Sequence, residues 1–107
     1  MTGNEAATML LKDMVIDKIN RTVTVQNLSV DLTGKEFDLL LFLASNKGRV
    51  FTKKQLYMQV WTEEYDFDDN NLMAFISKLR KKIEPNPEQP FYIQTVRGVG
   101  YRFNKEA

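Results

Sequence analysis

No cysteine and no histidine occur among the 107 residues. The first absence excludes disulfides and thiolate metal sites and fits a reducing cytoplasm. The second removes the most usual general base and the most usual transition-metal ligand. Carboxylates could still do acid–base chemistry, but no nucleophile–base constellation accompanies them. The expectation is a protein that is not an enzyme and needs no cofactor or metal. No run approaches the roughly 18 apolar residues of a membrane span. The start, MTGNEAATML, lacks a basic segment followed by an apolar block, so it does not read as a secretory signal. The sequons at Asn20 and Asn27 therefore carry no weight, and a cytoplasmic protein with no membrane partner is expected.

Acid is scarce in one region. Residues 1–69 hold 8 Lys/Arg against 11 Asp/Glu, whereas residues 70–107 hold 7 against 3, so a net charge of +1 conceals a split of −3 and +4. Such a split points to one basic face. Otherwise the composition, 43% hydrophobic and 27% charged, is that of an ordinary globular domain with one core. The first eight residues read as a loose N-terminus or linker remnant, and residues 9–104 as one domain.

Residues 9–32 are strand-like: MLLK, MVID, TVTVQ and LSVDL, separated by turn formers. TVTVQ alternates and is β-branched, which predicts a small antiparallel meander. The period then changes. Thr33-Gly-Lys-Glu36 reads as a capping box, followed by an apolar stripe of Phe37, Leu40, Leu41 and Ala44 and a stop at Gly48. Thr52-Lys-Lys-Gln55 repeats the device for a short helix carrying Leu56, Tyr57, Val60 and Trp61. An acidic, aromatic loop, TEEYDFDD, leads to NNLMAFISKLRKKI, capped by Asp68 and ended before Pro85. After PNPEQP, two β-like runs, FYIQTV and YRF, flank the turn RGVG and predict a hairpin.

The third helix carries the functional signal. At about 100° per residue, Ile76, Leu79 and Ile83 fall within about 40° of Leu72, with Phe75 at the edge of that buried stripe. Opposite lie Ala74, Ser77, Lys78 and Lys81, flanked by Arg80, Lys82 and Asn71. A Lys-rich outer face is often only solvated, but such faces usually mix signs, and residues 70–83 contain no acid. An α-helix fits the major groove of duplex DNA, where cations meet phosphates and short polar side chains reach base edges. Arg97, beside two glycines at the hairpin tip, suits a minor groove, whose negative potential attracts Arg. A basic helix docking an acidic protein partner is the rival reading.

Other motifs fail on inspection. The start of an EF-hand loop at Asp66 lacks the glycine and the glutamate at the required positions (Asn71 and Ser77 stand there). RGVGYRF echoes an RNA-recognition motif but is broken by Val99 and Arg102. Gly98-x-Gly100 lacks the third glycine of a dinucleotide loop.

The blocks LTGKEFDLLLFLASNKGRVFTKKQLYMQVW, ISKLRKKIEPNP and YIQTVRGVGYRF resemble the OmpR/PhoB-type winged-helix effector domain of bacterial two-component response regulators. The resemblance covers residues 9–103. It implies an α+β fold: an N-terminal four-stranded antiparallel sheet, three helices and a C-terminal β-hairpin wing, with the second and third helices as a helix-turn-helix. It also implies an N-terminal receiver domain phosphorylated by a cognate histidine kinase in the full-length protein, and a dimer on direct repeats in promoter DNA. By position, Trp61, Asn71, Ser77 and Arg80 would touch phosphates and Lys78 would read a base. Thr95 and Arg97 would contact DNA from the wing, Arg97 in the minor groove, with Tyr101 near a phosphate. The loop 62–68 corresponds to one that meets RNA polymerase in some members. The third helix departs most: many members read DRTVDVHI where this chain has DNNLMAFI, and Lys78 stands for an Arg. A different operator preference is expected.

Overall fold

The computed structural model describes residues 7–61 and 68–107. Residues 1–6 of the expected loose N-terminus and 62–67 of the acidic loop lie outside them.

The meander forms as its alternation predicts: β1 (Thr8–Leu11), β2 (Met14–Asp17), β3 (Thr22–Val25) and β4 (Leu28–Val30), paired in sequence order and all antiparallel. The register places Leu11, Met14 and Val25 in one cross-strand row, with Met9, Ile16 and Val23 in another. These rows face the core, while Leu10, Val15, Thr24 and Ser29 line the other side. The β3–β4 turn takes positive φ at both central residues, Gln26 (52°) and Asn27 (66°), which is the type I′ geometry that matches strand twist.

Helix α1 (Gly34–Ser45) begins with the expected capping box: Thr33 Oγ1 accepts from Glu36 N–H at 3.2 Å, and Glu36 Oε1 accepts from Thr33 N–H at 2.9 Å. Its apolar stripe is broader than the sequence suggests. Leu39 and Leu43 are fully buried, whereas Leu41 is only partly so. The helix packs against both the second helix and the last strand, so more than one of its faces is covered. Helix α2 (Lys53–Val60) repeats the box with Thr52 and Gln55 at 3.0 and 2.8 Å. Helix α3 (Asp69–Ile83) is capped by Asp68, which accepts from Asn70 N–H at 2.9 Å.

The C-terminal hairpin, β6 (Ile93–Val96) and β7 (Gly100–Phe103), turns through Val99 N–H donating to Val96 O at 3.0 Å. Gly98, at the third turn position, has φ 80°, as a type II turn requires. One strand was not legible in the sequence. β5 (Phe51–Thr52) lies between α1 and α2 and pairs with β7, making a three-stranded sheet of order β5-β7-β6. Gly100 permits it, because a Cβ there would collide with the Phe51 carbonyl oxygen. The hairpin is thereby anchored to the helical body along one edge. Leu72, Ile76, Leu79 and Ile83 of α3, together with Tyr92, Ile93 and Phe103, complete the core. Truncating one such leucine or isoleucine to alanine costs about 2–5 kcal/mol.

Candidate nucleic-acid interface

Burying Leu72, Ile76, Leu79 and Ile83 fixes the rotation of α3 and therefore what the opposite side presents. Asn71, Ala74, Ser77, Lys78 and Lys81 are all exposed, as the angular count predicts. Lys78 and Lys81 have no ion-pair partner among the described residues. Phe75 packs instead of facing solvent: it meets Trp61 edge-on, with ring centroids 4.8 Å apart. Trp61, at the C-terminal cap of α2, stacks on Tyr57 at 4.7 Å, and Lys35 Nζ sits 5.5 Å from its ring centroid. The half-buried indole thus ties α2 to α3 at the corner between them.

The other cations of α3 are engaged within the molecule. Lys82 Nζ lies 2.7 Å from Glu36 Oε1, the buried carboxylate of the α1 capping box. Burial alone would raise the Glu36 pKa, but the hydrogen bond and charge of Lys82, with the Thr33 hydrogen bonds, outweigh it and hold the carboxyl below its usual value. Lys82, on the flank of the outer face by its angle, thus also links α3 to α1. Arg80 Nε and Nη2 donate to Ile93 O at 3.0 and 2.6 Å, and Nη2 also donates to Thr95 Oγ1 at 2.9 Å. Its guanidinium lies over the Tyr101 ring, 5.4 Å from the centroid. Partial burial pulls the Arg80 pKa below its usual value, and nearby Tyr101 and Glu84 offset part of that shift.

On the hairpin, Thr95 and Tyr101 are cross-strand partners facing α3. Thr95 is exposed, with its hydroxyl oxygen accepting from Arg80. Tyr101 is 5% exposed, and burial raises its phenol pKa against the opposing influence of Arg80. Arg97 stands exposed at the tip. Between α3 and the hairpin runs an open groove of about 490 Å³, lined among others by Met73, Ser77, Arg80, Lys81, Thr95 and Tyr101. Met73 was not singled out as a site residue from sequence. Its 100° offset from Leu72 places it on the flank, and the structure leaves it 48% exposed in that groove. Glu84 was also missed. It is 6% exposed, and its carboxylate accepts backbone N–H groups of Phe91, Tyr92 and Ile93 at 2.7–3.1 Å. A glutamate before a proline carries no local sign of such burial.

The family model for "Transcriptional regulatory protein, C terminal" matches residues 26–103, which takes in α1 through β7. The chain belongs to that family. It is the DNA-binding effector domain of a response regulator, built as a winged helix. The response regulator GtcR of Aneurinibacillus migulanus is 51% identical over 73 residues, covering 67% of this chain and 30% of GtcR. Among solved structures, the response regulator DrrB of Thermotoga maritima, an OmpR/PhoB homologue, superposes with a TM-score of 0.84 at 36% identity, over 92% of this chain and 44% of DrrB. The DNA-binding domain of Klebsiella pneumoniae RstA, in complex with its RstA box, superposes with a TM-score of 0.82 at 34% identity, over 92% and 97% of the two chains. The chain spans 30–45% of the length of the first curated relatives it matches. In this winged-helix frame the β6–β7 hairpin is the wing. No helix among the described residues is long and apolar enough to cross a membrane.

Proposed function

We propose that the chain binds duplex promoter DNA sequence-specifically, with α3 in the major groove and the wing tip in the adjacent minor groove. One observation carries the reading. The acid-free outer face of α3 and the exposed Arg97 belong to two elements joined by Arg80, so both can meet one duplex at once. Lys78 is the base reader, and Ala74 and Ser77 leave room for close approach. Lys81 and Asn71 lie where the groove walls bring phosphates. Trp61 presents the exposed part of its ring at the same corner. A single Lys gives up the bidentate fork of Arg towards guanine, so base preference at that position is weaker than an Arg would impose.

In the full-length regulator, a receiver domain phosphorylated by its histidine kinase would promote dimerisation of this domain on direct repeats. Contact with RNA polymerase would fall to the loop 62–68, of which only Asp68 is among the described residues. The rival protein-docking reading loses ground, because two of the four basic residues in the last turns of α3 already have partners.

Selection of duplexes from a random library tests the proposal. An enriched motif is expected, bound at least about 10³-fold more tightly than unrelated duplex at physiological salt, with affinity falling steeply as log salt rises. Equal affinity for enriched and scrambled duplexes would refute sequence-specific reading.

A further inference from the structure

β6 is an edge strand. One side pairs with β7, and the other has no neighbouring strand among the described residues. An antiparallel edge leaves the N–H and C=O of alternate residues pointing outward together, where burial without partners is costly. At Ile93 both groups are satisfied by the C-terminal end of α3 and its cap: Ile93 N–H donates to Glu84 Oε2 at 2.8 Å, and Ile93 O accepts from Arg80 at 2.6 and 3.0 Å. Glu84 also takes the N–H groups of Phe91 and Tyr92, and Arg80 takes the Thr95 hydroxyl. Arg80 lies in the last turn of α3, and Glu84 is the extended residue that caps it, its N–H donating to Arg80 O at 2.9 Å. Together they stand in for the missing strand and hold residues 91–95.

We propose that Arg80 and Glu84 form a clamp that sets the distance and angle between the recognition helix and the wing, and that Arg80 serves DNA reading as a positioning residue without contacting phosphate. This rests on the DNA reading above and refines it. The Nε/Nη2 edge of the guanidinium, one of the two edges able to grip a phosphate through two donors, is already turned onto β6. Nη2, which the second edge shares, is taken by Ile93 O and Thr95 Oγ1. Arg97 lies four residues beyond Ile93, about 13 Å along an extended strand, so a small change at the clamp is magnified at the tip. A wing already fixed in the free protein avoids the entropy of ordering it on DNA.

The test uses Arg80→Lys, which keeps the cation but cannot make the fork, beside Arg80→Gln, each with and without Arg97→Ala. The probe is a duplex selected from a random library by the wild-type chain. The clamp predicts that both Arg80 variants bind about 3- to 10-fold more weakly. In the Arg97→Ala background each should change affinity by less than about 2-fold, because the positioned group is gone. A phosphate contact predicts instead that Arg80→Lys binds almost as the wild type. It also predicts that Arg80→Gln and Arg97→Ala add, with Arg80→Gln lowering the log–log salt slope by about 0.9 in both backgrounds; that pattern overturns the positioning role. Amide exchange in the free chain supplies a reading independent of DNA. Arg80→Lys should speed exchange at β6 and β7 and leave α1 protected, whereas unchanged wing protection means that there is no clamp. If no duplex is enriched, the DNA reading and the positioning role fall together, and exchange alone decides whether the clamp exists.

Discussion

Lys78 and Lys81 share the last turns of α3 with Arg80 and Lys82, yet the two pairs do different work. The first pair faces solvent with no ion-pair partner among the described residues. The second reaches back, Lys82 to a buried carboxylate on α1 and Arg80 to the wing. Cations in the last turn of any helix also suit its dipole, so their presence alone says little about a ligand. A basic cluster is therefore divided by helix rotation into a solvent-facing half and a holding half. Substitutions should separate the halves: outward ones change DNA affinity and spare stability, and inward ones change stability first.

The largest effect belongs to the holding side. Glu84→Ala leaves three backbone N–H groups without their acceptor, and unfolding in urea should show a loss of about 3–5 kcal/mol. Lys78→Ala should leave stability within about 0.5 kcal/mol, lower affinity for an enriched duplex by about 1–3 kcal/mol, and relax preference at one base pair. An equal loss on every duplex would make Lys78 a phosphate contact. Lys82→Met removes the partner of Glu36 and should cost about 1–2 kcal/mol of stability, less than for a fully buried pair because the lysine side chain is 36% exposed.

The pH dependence of that last variant follows from Glu36. Its folded pKa lies below the ordinary value of 4.5, so its contribution is fully present above about that pH and is lost as pH falls through the folded value. Lys82→Met should therefore flatten the acid limb of the stability curve. The smallest effect is at Lys81, where alanine should lower the log–log salt slope by about 0.9 and weaken all duplexes alike.

Much of the architecture could be read from local patterns because those patterns are themselves the physical cause. Two capping boxes, the Leu72–Ile83 stripe and the glycine turn at 98 rest on residues within a few positions of one another. The exposed face followed from the same stripe, because burying one side of a helix fixes the other. What escaped depends on contacts distant in sequence. β5 is two residues long and exists only because Gly100 lets β7 approach Phe51 and Thr52. Lys82 finds Glu36 46 residues away, and Arg80 finds Ile93 only after the chain turns at the prolines. Angle on a helical wheel says where a side chain starts, while a long Lys or Arg can bend towards either neighbour. The family resemblance supplied the winged-helix fold correctly. Positional transfer expects Arg80 on a phosphate and Tyr101 near one, while the internal contacts of Arg80 with β6 and the burial of Tyr101 depend on the folded chain.

Amide chemical shifts of the chain, followed while an enriched duplex is titrated in, bear most directly on which surface meets DNA. The account predicts that the largest changes fall at Ala74, Ser77, Lys78, Lys81 and Arg97, with β1 to β4 unmoved. Changes centred on the four-stranded sheet, with Lys78 and Arg97 silent, would contradict it.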